Sequence, residues 1–225
     1  MKLEIDIPES LKEVKLKDFQ KYHNIANVET DASFLNIKAI EIFCGLKYKD
    51  VRNIKKTDFN AILSVLERTL SEKGIFVSKF NLNGVEYGFI PDLENISSGE
   101  WIDLENYLQD VKDWHKAMAV LYRPITFKKG DLYLIEEYDG SEKYAETMKY
   151  ANVSDVLGAQ VFFYHLGIDL LKALANFLTK TEKSLTYQQK QTLQSVTDGI
   201  RAFTQSHEAT YLNSMKLPNN HLERV

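Results

Sequence analysis

The sequence predicts a mainly α-helical protein of the α+β class, with short β-hairpins. Over several stretches, apolar residues recur every three or four positions, which is the spacing of an amphipathic helix. Asn83-Gly84, between two short apolar runs, is typical of a tight hairpin turn, in which both central residues need positive φ. The sequence also contains an internal repeat, since two similar segments each begin with Ile-Pro, one at Ile7 and the other at Ile90. Together these features predict two diverged copies of a strand-plus-three-helix unit.

The internal repeat defines the predicted organisation of the chain. With a one-residue gap in the opening segments, Leu11 aligns with Leu93 and Phe19 with Trp101. Two further pairs follow in the same order: residues 37–43 with 115–121, and residues 56–59 with 153–156. We therefore predict a first helical unit at 1–74, a second unit with the β-hairpins at 75–180, and a C-terminal helix and frayed tail at 181–225. Two copies are too few for a solenoid, so the units are expected to pack as one compact domain.

In the first unit, residues 3–7 alternate between apolar and polar, which predicts a half-buried strand ended by Pro8. Three helices are predicted to follow: Lys15 to Asn27, a second from Asp31 with Gly45 as its C-terminal cap, and a third from Thr57 to Gly74.

In the second unit, a hairpin over residues 75–90 precedes the capping box Ser97-x-x-Glu100, which predicts the start of a helix closed by Pro124. Further features follow in order: a second hairpin over 125–135, a polar and mobile connection over 138–151, a central buried helix capped by Ser154, and a last helix from Ser184 to Gln205.

Composition argues against several classes of function. The net charge of −4 argues against nucleic-acid binding, which favours a basic face, so no nucleic-acid partner is expected, with a local basic patch left as the alternative. Cys44 is the only cysteine, which excludes an internal disulfide and suits a small buried apolar side chain. The apolar run from Val156 to Leu178 contains Asp169 and Lys172, which a membrane span disfavours, so no membrane partner is expected.

The sequence contains no motif that assigns a reaction. Phosphate-binding and dinucleotide-binding glycine loops and the G-x-S-x-G elbow are all missing, and the five histidines lack metal-site spacing. His165, in the most apolar helix, is interpreted as a hydrogen-bonded core residue. The acidic residues around Glu136 and Glu137 are interpreted as a solvated loop. We therefore predict no catalytic residue, no metal and no cofactor, and keep as an alternative an enzyme that uses His115, Glu136 and Asp139.

A binding surface is the remaining candidate site. Tyr, Trp and Arg are the residue types that anchor protein interfaces, and Tyr122-Arg123 at a predicted helix end can project outward. The candidate partner-binding residues are Tyr122, Arg123, Trp101 and Trp114. The alternative for Arg123 is a structural one, in which it caps the end of the helix and pairs with the acidic loop.

Two segments carry a family resemblance. GEWIDLENYLQDVKDWHKAMAVLYRPI, preceded by FNLNGVEYGFIPDLENIS, and the opening IPESLKEVKLKDFQKYHNI resemble virion-assembly proteins of tailed bacteriophages and prophages, of the kind called tail assembly chaperones or small structural proteins. The resemblance covers residues 3 to 178. It implies binding to other phage proteins, with self-association left open, and a location in the host cytoplasm or in the virion. The alternative within the family is a structural or connector component of the virion.

Overall fold

The computed structural model describes residues 4–93, 95–181 and 186–215, and it confirms the predicted fold class. The protein is 59% helical with a four-stranded antiparallel sheet. The helices are α1 (Leu16–Ala26), α2 (Ala32–Phe43), α3 (Tyr48–Val51), α4 (Lys56–Leu70), α5 (Ser98–Tyr107), α6 (Trp114–Leu121), α7 (Glu142–Met148), α8 (Val153–Thr181) and α9 (Tyr187–Met215). The strands are β1 (Lys79–Leu82), β2 (Val85–Phe89), β3 (Tyr122–Lys129) and β4 (Leu132–Ile135).

The start of the described chain is not a strand. Residues 4–9 have no regular structure, so the strand predicted over residues 3–7 is wrong for residues 4–7, and Leu3 lies outside the described residues. Ile5 and Ile7 are half-buried against the small core formed by the first helices, whereas Glu4 and Asp6 are exposed. The alternation of apolar and polar residues therefore arises because one side of this segment packs on helices. Among the described residues, the segment does not pair with a strand.

The first helices share this small core. Its buried side chains are Tyr22, Ala39, Ile40, Ile42, Val51, Ile62, Leu63 and Leu66. The Asp31 carboxylate caps α2 by accepting from the backbone N–H groups of Ser33 (2.8 Å) and Phe34 (3.2 Å). Gly45, with φ of 65°, follows the end of α2 in the left-handed conformation predicted for its cap.

The helix predicted between Ser97 and Pro124 is interrupted. The capping box is confirmed, because Ser97 Oγ accepts from the Glu100 N–H (3.2 Å) and the Glu100 carboxylate accepts from the Ser97 N–H (2.8 Å). After α5 ends, residues 111–113 form a 3₁₀ turn that leads into α6. The Trp114 indole N–H donates to the Leu108 carbonyl (3.3 Å), which satisfies an acceptor at the break.

The sheet has the order β1-β2-β3-β4, with each neighbouring pair antiparallel. Both predicted hairpins are confirmed. Asn83 and Gly84 have φ values of 53° and 81°, as the first turn requires, and Gly130 has φ of 61° in the second.

Strand β3 changes its partner at Pro124. Residues 122–124 pair with β2, and residues 125–129 pair with β4. Proline has no N–H to donate, so it suits the point where one ladder ends and the next begins, and its carbonyl accepts from the Glu136 N–H (2.9 Å). The prediction that Pro124 closes a helix is therefore wrong, because α6 ends at Leu121 and passes directly into β3.

Residues 138–151 are not the polar, mobile connection that was predicted. They include α7, whose Ala145 and Met148 are buried against the main core. The cap of α8 also lies two residues earlier than predicted. Asn152 Oδ1 accepts from the Asp155 N–H (2.8 Å) and its amide donates to the Asp155 carboxylate (2.7 Å), so Asn152 takes the role predicted for Ser154.

Helix α9 extends to Met215, beyond the predicted end at Gln205, and packs against α8. The predicted start at Ser184 and the tail from residue 216 lie outside the described residues.

The two predicted units are joined by backbone hydrogen bonds. The first N–H groups of α1, at Leu16 and Lys17, donate to the carbonyls of Ala151 (2.9 Å) and Lys149 (2.8 Å), just before α8. The Val153 N–H donates to the Val14 carbonyl (2.9 Å). The main core also combines both units, since it contains Leu11, Phe19 and Leu70 together with Trp114, Met118 and Leu157. The division at 1–74, 75–180 and 181–225 stays a prediction.

The internal repeat also stays a prediction. The aligned stretches fall on α1 and α5, on α2 and α6, and on the first turns of α4 and α8. The packing then differs between the halves, because α2 packs on α4 whereas α6 packs most extensively on α7, a helix without a counterpart in the alignment.

Two glycines allow residues 74–76 to cross α8 at backbone contact. A Cβ on Gly158 would lie 2.2 Å from the Ile75 carbonyl carbon, and one on Gly74 would lie 2.4 Å from the Gly158 nitrogen. The Ile75 N–H donates to the Ser154 carbonyl (3.1 Å) at this crossing. Gly74 was predicted to end a helix, but α4 ends at Leu70, and the glycine serves this contact.

We expect Gly158→Ala to lower the free energy of unfolding by about 3 kcal/mol, because the added methyl meets backbone atoms that cannot move aside. Gly199→Ala is the matched control, since Gly199 is also helical but a Cβ there would meet nothing within 4 Å. This control is expected to raise stability by up to about 1 kcal/mol through helix propensity. Urea unfolding measures the free energy of unfolding of both variants. Equal changes in the two variants would contradict the close backbone contact between residues 74–76 and α8.

Candidate functional site

Three of the four predicted partner-binding residues lie in the protein interior. Trp114 and Tyr122 are 0% exposed and Arg123 is 6% exposed, whereas Trp101 is half-buried against the main core. The Tyr122 hydroxyl donates to the Val77 carbonyl (2.6 Å), and burial, with a smaller effect of Asp155, raises the pKa of Tyr122 well above its usual value. The expectation that Arg123 projects outward is wrong, because the direct passage from α6 into β3 turns it inward.

Arg123 forms a buried ion pair with Glu100. Its Nη1 donates to Glu100 Oε1 (2.5 Å) and to the carbonyl of Val120 (3.2 Å) near the end of α6. The guanidinium also lies over the ring of Tyr138, 5.4 Å from its centroid. The structural alternative for Arg123 is thus confirmed at the helix end, but its acidic partner is the capping-box glutamate and not the acidic loop.

The surroundings of Glu100 favour its charged form. Burial by itself raises the pKa of the Glu100 carboxyl, but hydrogen bonds from Ser97 and Arg123 and the Arg123 charge together bring that pKa below its ordinary value. One carboxylate therefore caps α5 and neutralises the buried guanidinium at the start of β3. This arrangement is structural, since it joins two elements and its groups are withdrawn from the surface.

His115 is held in a polar pocket of the core. The Gln20 side-chain amide lies 2.7 Å from the Val111 carbonyl and 3.1 Å from His115 Nδ1. Burial, followed by the charges of Lys149 and Lys116, lowers the pKa of His115. A neutral ring that accepts from Gln20 fits both observations.

Glu136, the acid in the alternative enzyme hypothesis, has a different set of partners. It pairs with Lys143 and accepts from the Tyr144 hydroxyl (2.6 Å), and these contacts lower its pKa. His115 and Glu136 thus make their hydrogen bonds to different residues, and neither bonds to the other or to Asp139 among the contacts described above. Across residues 4–93, 95–181 and 186–215, no group of three or more His, Cys, Asp and Glu side chains has the arrangement of a metal site.

Cys44 and His165 differ in how far they are buried. Cys44 is half-buried, and burial raises the pKa of its thiol to about 11, so it stays protonated and behaves as a small apolar group. His165 is exposed on α8 with its ring 5.6 Å from that of Tyr164, so its interpretation as a core residue is wrong.

The second hairpin has an exposed apolar surface that was not predicted from the sequence. Phe127, Leu132 and Leu134 are 57%, 79% and 59% exposed, and we call these three residues the hairpin face. Phe127 pairs directly with Leu134, and Leu132 shares their side of the hairpin because alternate residues of a strand face the same way. The available signal was the apolar content on both sides of the strand sequence LYLI, where a surface strand ordinarily alternates with polar residues.

A second exposed apolar surface runs along α8. Leu166, Ala173 and Phe177 are exposed and lie seven and then four residues apart, which places them within a narrow band of one helix face. We call these three residues the α8 stripe. At about 1.5 Å per residue the stripe is roughly 16 Å long.

Comparison with family models, with curated proteins and with solved structures gives no significant match to this chain. Within the part of the chain that the structure describes, no helix is both long and apolar enough to cross a bilayer.

We expect Arg123→Met to lower the free energy of unfolding by about 3 kcal/mol, because it leaves the buried Glu100 charge without its partner. Lys128→Met is the matched control, since it removes an exposed ion pair with Glu86 (2.8 Å) that contributes at most about 1 kcal/mol. Urea unfolding at neutral pH tests this. Similar losses in both variants would show that the Arg123–Glu100 pair has no special role.

The Glu100 pair also has a predictable pH dependence. Because the folded-state pKa of Glu100 is lowered, its contribution to stability is fully present above the ordinary value of 4.5 and is lost as pH falls below it. The stability difference between the wild type and Glu100→Gln should therefore be largest near pH 7 and shrink below about pH 4.5. Urea unfolding at several pH values measures it, and a difference that grows on acidification would reverse the assigned direction.

Proposed function

We propose that this protein is an assembly factor of a tailed bacteriophage or prophage that acts by binding other proteins, in the manner of a tail assembly chaperone. The resemblance of residues 3 to 178 to that family supports the proposal. The single observation that carries it is the α8 stripe, a row of exposed apolar side chains on a helix of 29 residues. The site of action would be the host cytoplasm.

The α8 stripe suits an amphipathic helix of the client. Helix-in-groove recognition requires apolar positions that recur on one face of a firm helix, and the spacing from Leu166 to Ala173 and Phe177 meets this requirement. Helix α9 packs on α8, and the side chains of the α8 stripe are exposed in the structure. A client helix laid along the stripe would bury these side chains from water.

Polar side chains border the α8 stripe. Asp169 and Lys172 form an exposed ion pair (3.3 Å), and His165 is exposed on the same helix. An exposed ion pair of this kind adds little to the stability of the fold. At a binding surface its charges increase solubility and help to orient a partner. An apolar centre with a polar rim is the usual composition of a protein interface.

The first test is co-expression with the tail proteins of the phage or prophage that encodes this chain. The wild type should keep at least one tail protein in solution and copurify with it. Leu166→Glu and Ala173→Glu should weaken that complex by about tenfold or more, because each buries a charge in an apolar contact, and glutamate preserves the helix.

Val28→Glu is the control, because Val28 is an isolated side chain, 84% exposed and remote in sequence from α8. This variant should bind like the wild type. Circular dichroism should show equal helix content in all three variants. Undiminished binding by both α8 variants, or equal loss in the control, would contradict a role for the α8 stripe.

A second experiment separates a chaperone from the alternative, a structural or connector component of the virion. Mass spectrometry of purified virions should not detect this protein if it acts only during assembly. Detection in a fixed ratio to a known tail protein would contradict the chaperone proposal and support the structural one.

A further inference from the structure

Strand β4 is an open edge of the sheet. It is the last strand in the order β1-β2-β3-β4, and no other described strand pairs with its outer side. The Lys129–Leu132 pair closes the hairpin, and the Glu136 N–H donates inward to Pro124. Because the direction of the backbone groups alternates along a strand, those of Tyr133 and Ile135 are directed outward. They are therefore available to pair with another strand.

This edge lacks the features that ordinarily prevent pairing. Surface edges are usually protected by lysine, by proline or by a bulge in the edge strand itself. The sequence of β4, LYLI, has no charge and no proline, and the irregularity in this hairpin lies in β3, between Ile125 and Phe127. The hairpin face adds exposed apolar side chains beside the same edge.

The edge is also held in place before any partner arrives. The Tyr133 hydroxyl donates to the Phe89 carbonyl (2.9 Å), and its ring lies across Gly88, where a Cβ would approach the ring to 2.5 Å. Lys128, which pairs with Tyr133 across the hairpin, reaches Glu86 on β2 (2.8 Å). Pre-organisation of this kind lowers the conformational entropy that is lost on association.

The distribution of charge indicates the partner. The tip of the hairpin carries Lys128, Lys129 and Asp131, so lysine is in excess there, whereas the acidic residues Glu136, Glu137 and Asp139 follow the opposite end of β4. Lys129 and Glu137 are exposed, and neither forms a salt bridge with another described residue. A strand with a basic start and an acidic end is complementary to a copy of itself that runs in the opposite direction.

We propose that two copies of this chain associate through β4, which pairs antiparallel with β4 of the second copy and extends the sheet across the dimer. Pairing centred on Tyr133 joins the outward backbone groups of Tyr133 in the two copies to each other. It places Leu132 of each copy opposite Leu134 of the other and directs Glu137 toward the tip that carries Lys129. This contact is isologous, so it closes at two copies.

The first experiment is sedimentation velocity of the full chain over a range of concentrations. The wild type should form a dimer, and Leu132→Lys/Leu134→Lys should shift its dissociation constant at least tenfold toward monomer. Val85→Lys is the matched control, because Val85 is an exposed residue at the turn of the other hairpin and should leave the dimer intact. Circular dichroism checks that all three proteins fold equally.

Two results would overturn the proposal. One is a wild type that stays monomeric at every concentration, which would leave the edge to a different protein or to none. The other is a dimer that survives the double lysine variant but dissociates in Leu166→Glu, which would assign self-association to the α8 stripe.

A charge exchange tests the antiparallel direction. Lys129→Glu and Glu137→Lys should each weaken the dimer, because each places like charges together across the contact. The double variant Lys129→Glu/Glu137→Lys should recover wild-type affinity, since both partners are reversed. Failure of the double variant to recover would overturn the antiparallel arrangement, even if the lysine substitutions in β4 weaken association.

Discussion

The passage from α6 into β3 depends on the buried ion pair between Arg123 and Glu100. The chain leaves α6 at Leu121 and enters the sheet at the next residue, so there is no loop in which a charged side chain could turn to solvent. Arg123 therefore points inward, where an unpaired guanidinium would be costly. Glu100 neutralises the Arg123 guanidinium and also caps the start of α5. Arg123 in turn donates to the Val120 carbonyl, so the ion pair connects the start of α5, the end of α6 and the first residues of β3.

This arrangement changes where a partner can bind. The aromatic and arginine side chains that resemble interface anchors in the sequence are used inside the protein. The Trp114 indole donates a hydrogen bond to the Leu108 carbonyl at the break after α5, and the Tyr122 hydroxyl of β3 donates to the carbonyl of Val77. The apolar side chains that are exposed at the surface include those of the α8 stripe and the hairpin face. They belong to different elements, so self-association through β4 does not use the helix proposed to bind a client, and a dimer would present two such helices.

The parts of the fold that short stretches of sequence specify were predictable. The capping box at Ser97, the Asn83-Gly84 turn and the glycine after α2 need only a few adjacent residues to satisfy local backbone groups. Predictions that assumed continuity over longer distances were wrong. Helical spacing continued across residues 108–113 although the chain turns there, and Pro124 was given a role in a helix when its missing N–H suits the change of partner in β3. The polar composition of residues 138–151 concealed α7, whose few apolar residues are enough to cover the main core.

The sequence by itself determined the fold class, the hairpins and the starts of α1, α2, α4 and α5, because each of these depends on periodicity or on hydrogen bonds between near neighbours. Only the tertiary structure decided which side chains are buried and which remain at the surface. Arg123 meets its partner 23 residues away, and Gly158 meets Ile75 across an even longer separation. Contacts of this kind have no local pattern, since they arise from the packing of whole elements. Within the described residues, the same packing leaves β4 at the edge of the sheet and the side chains of the α8 stripe exposed.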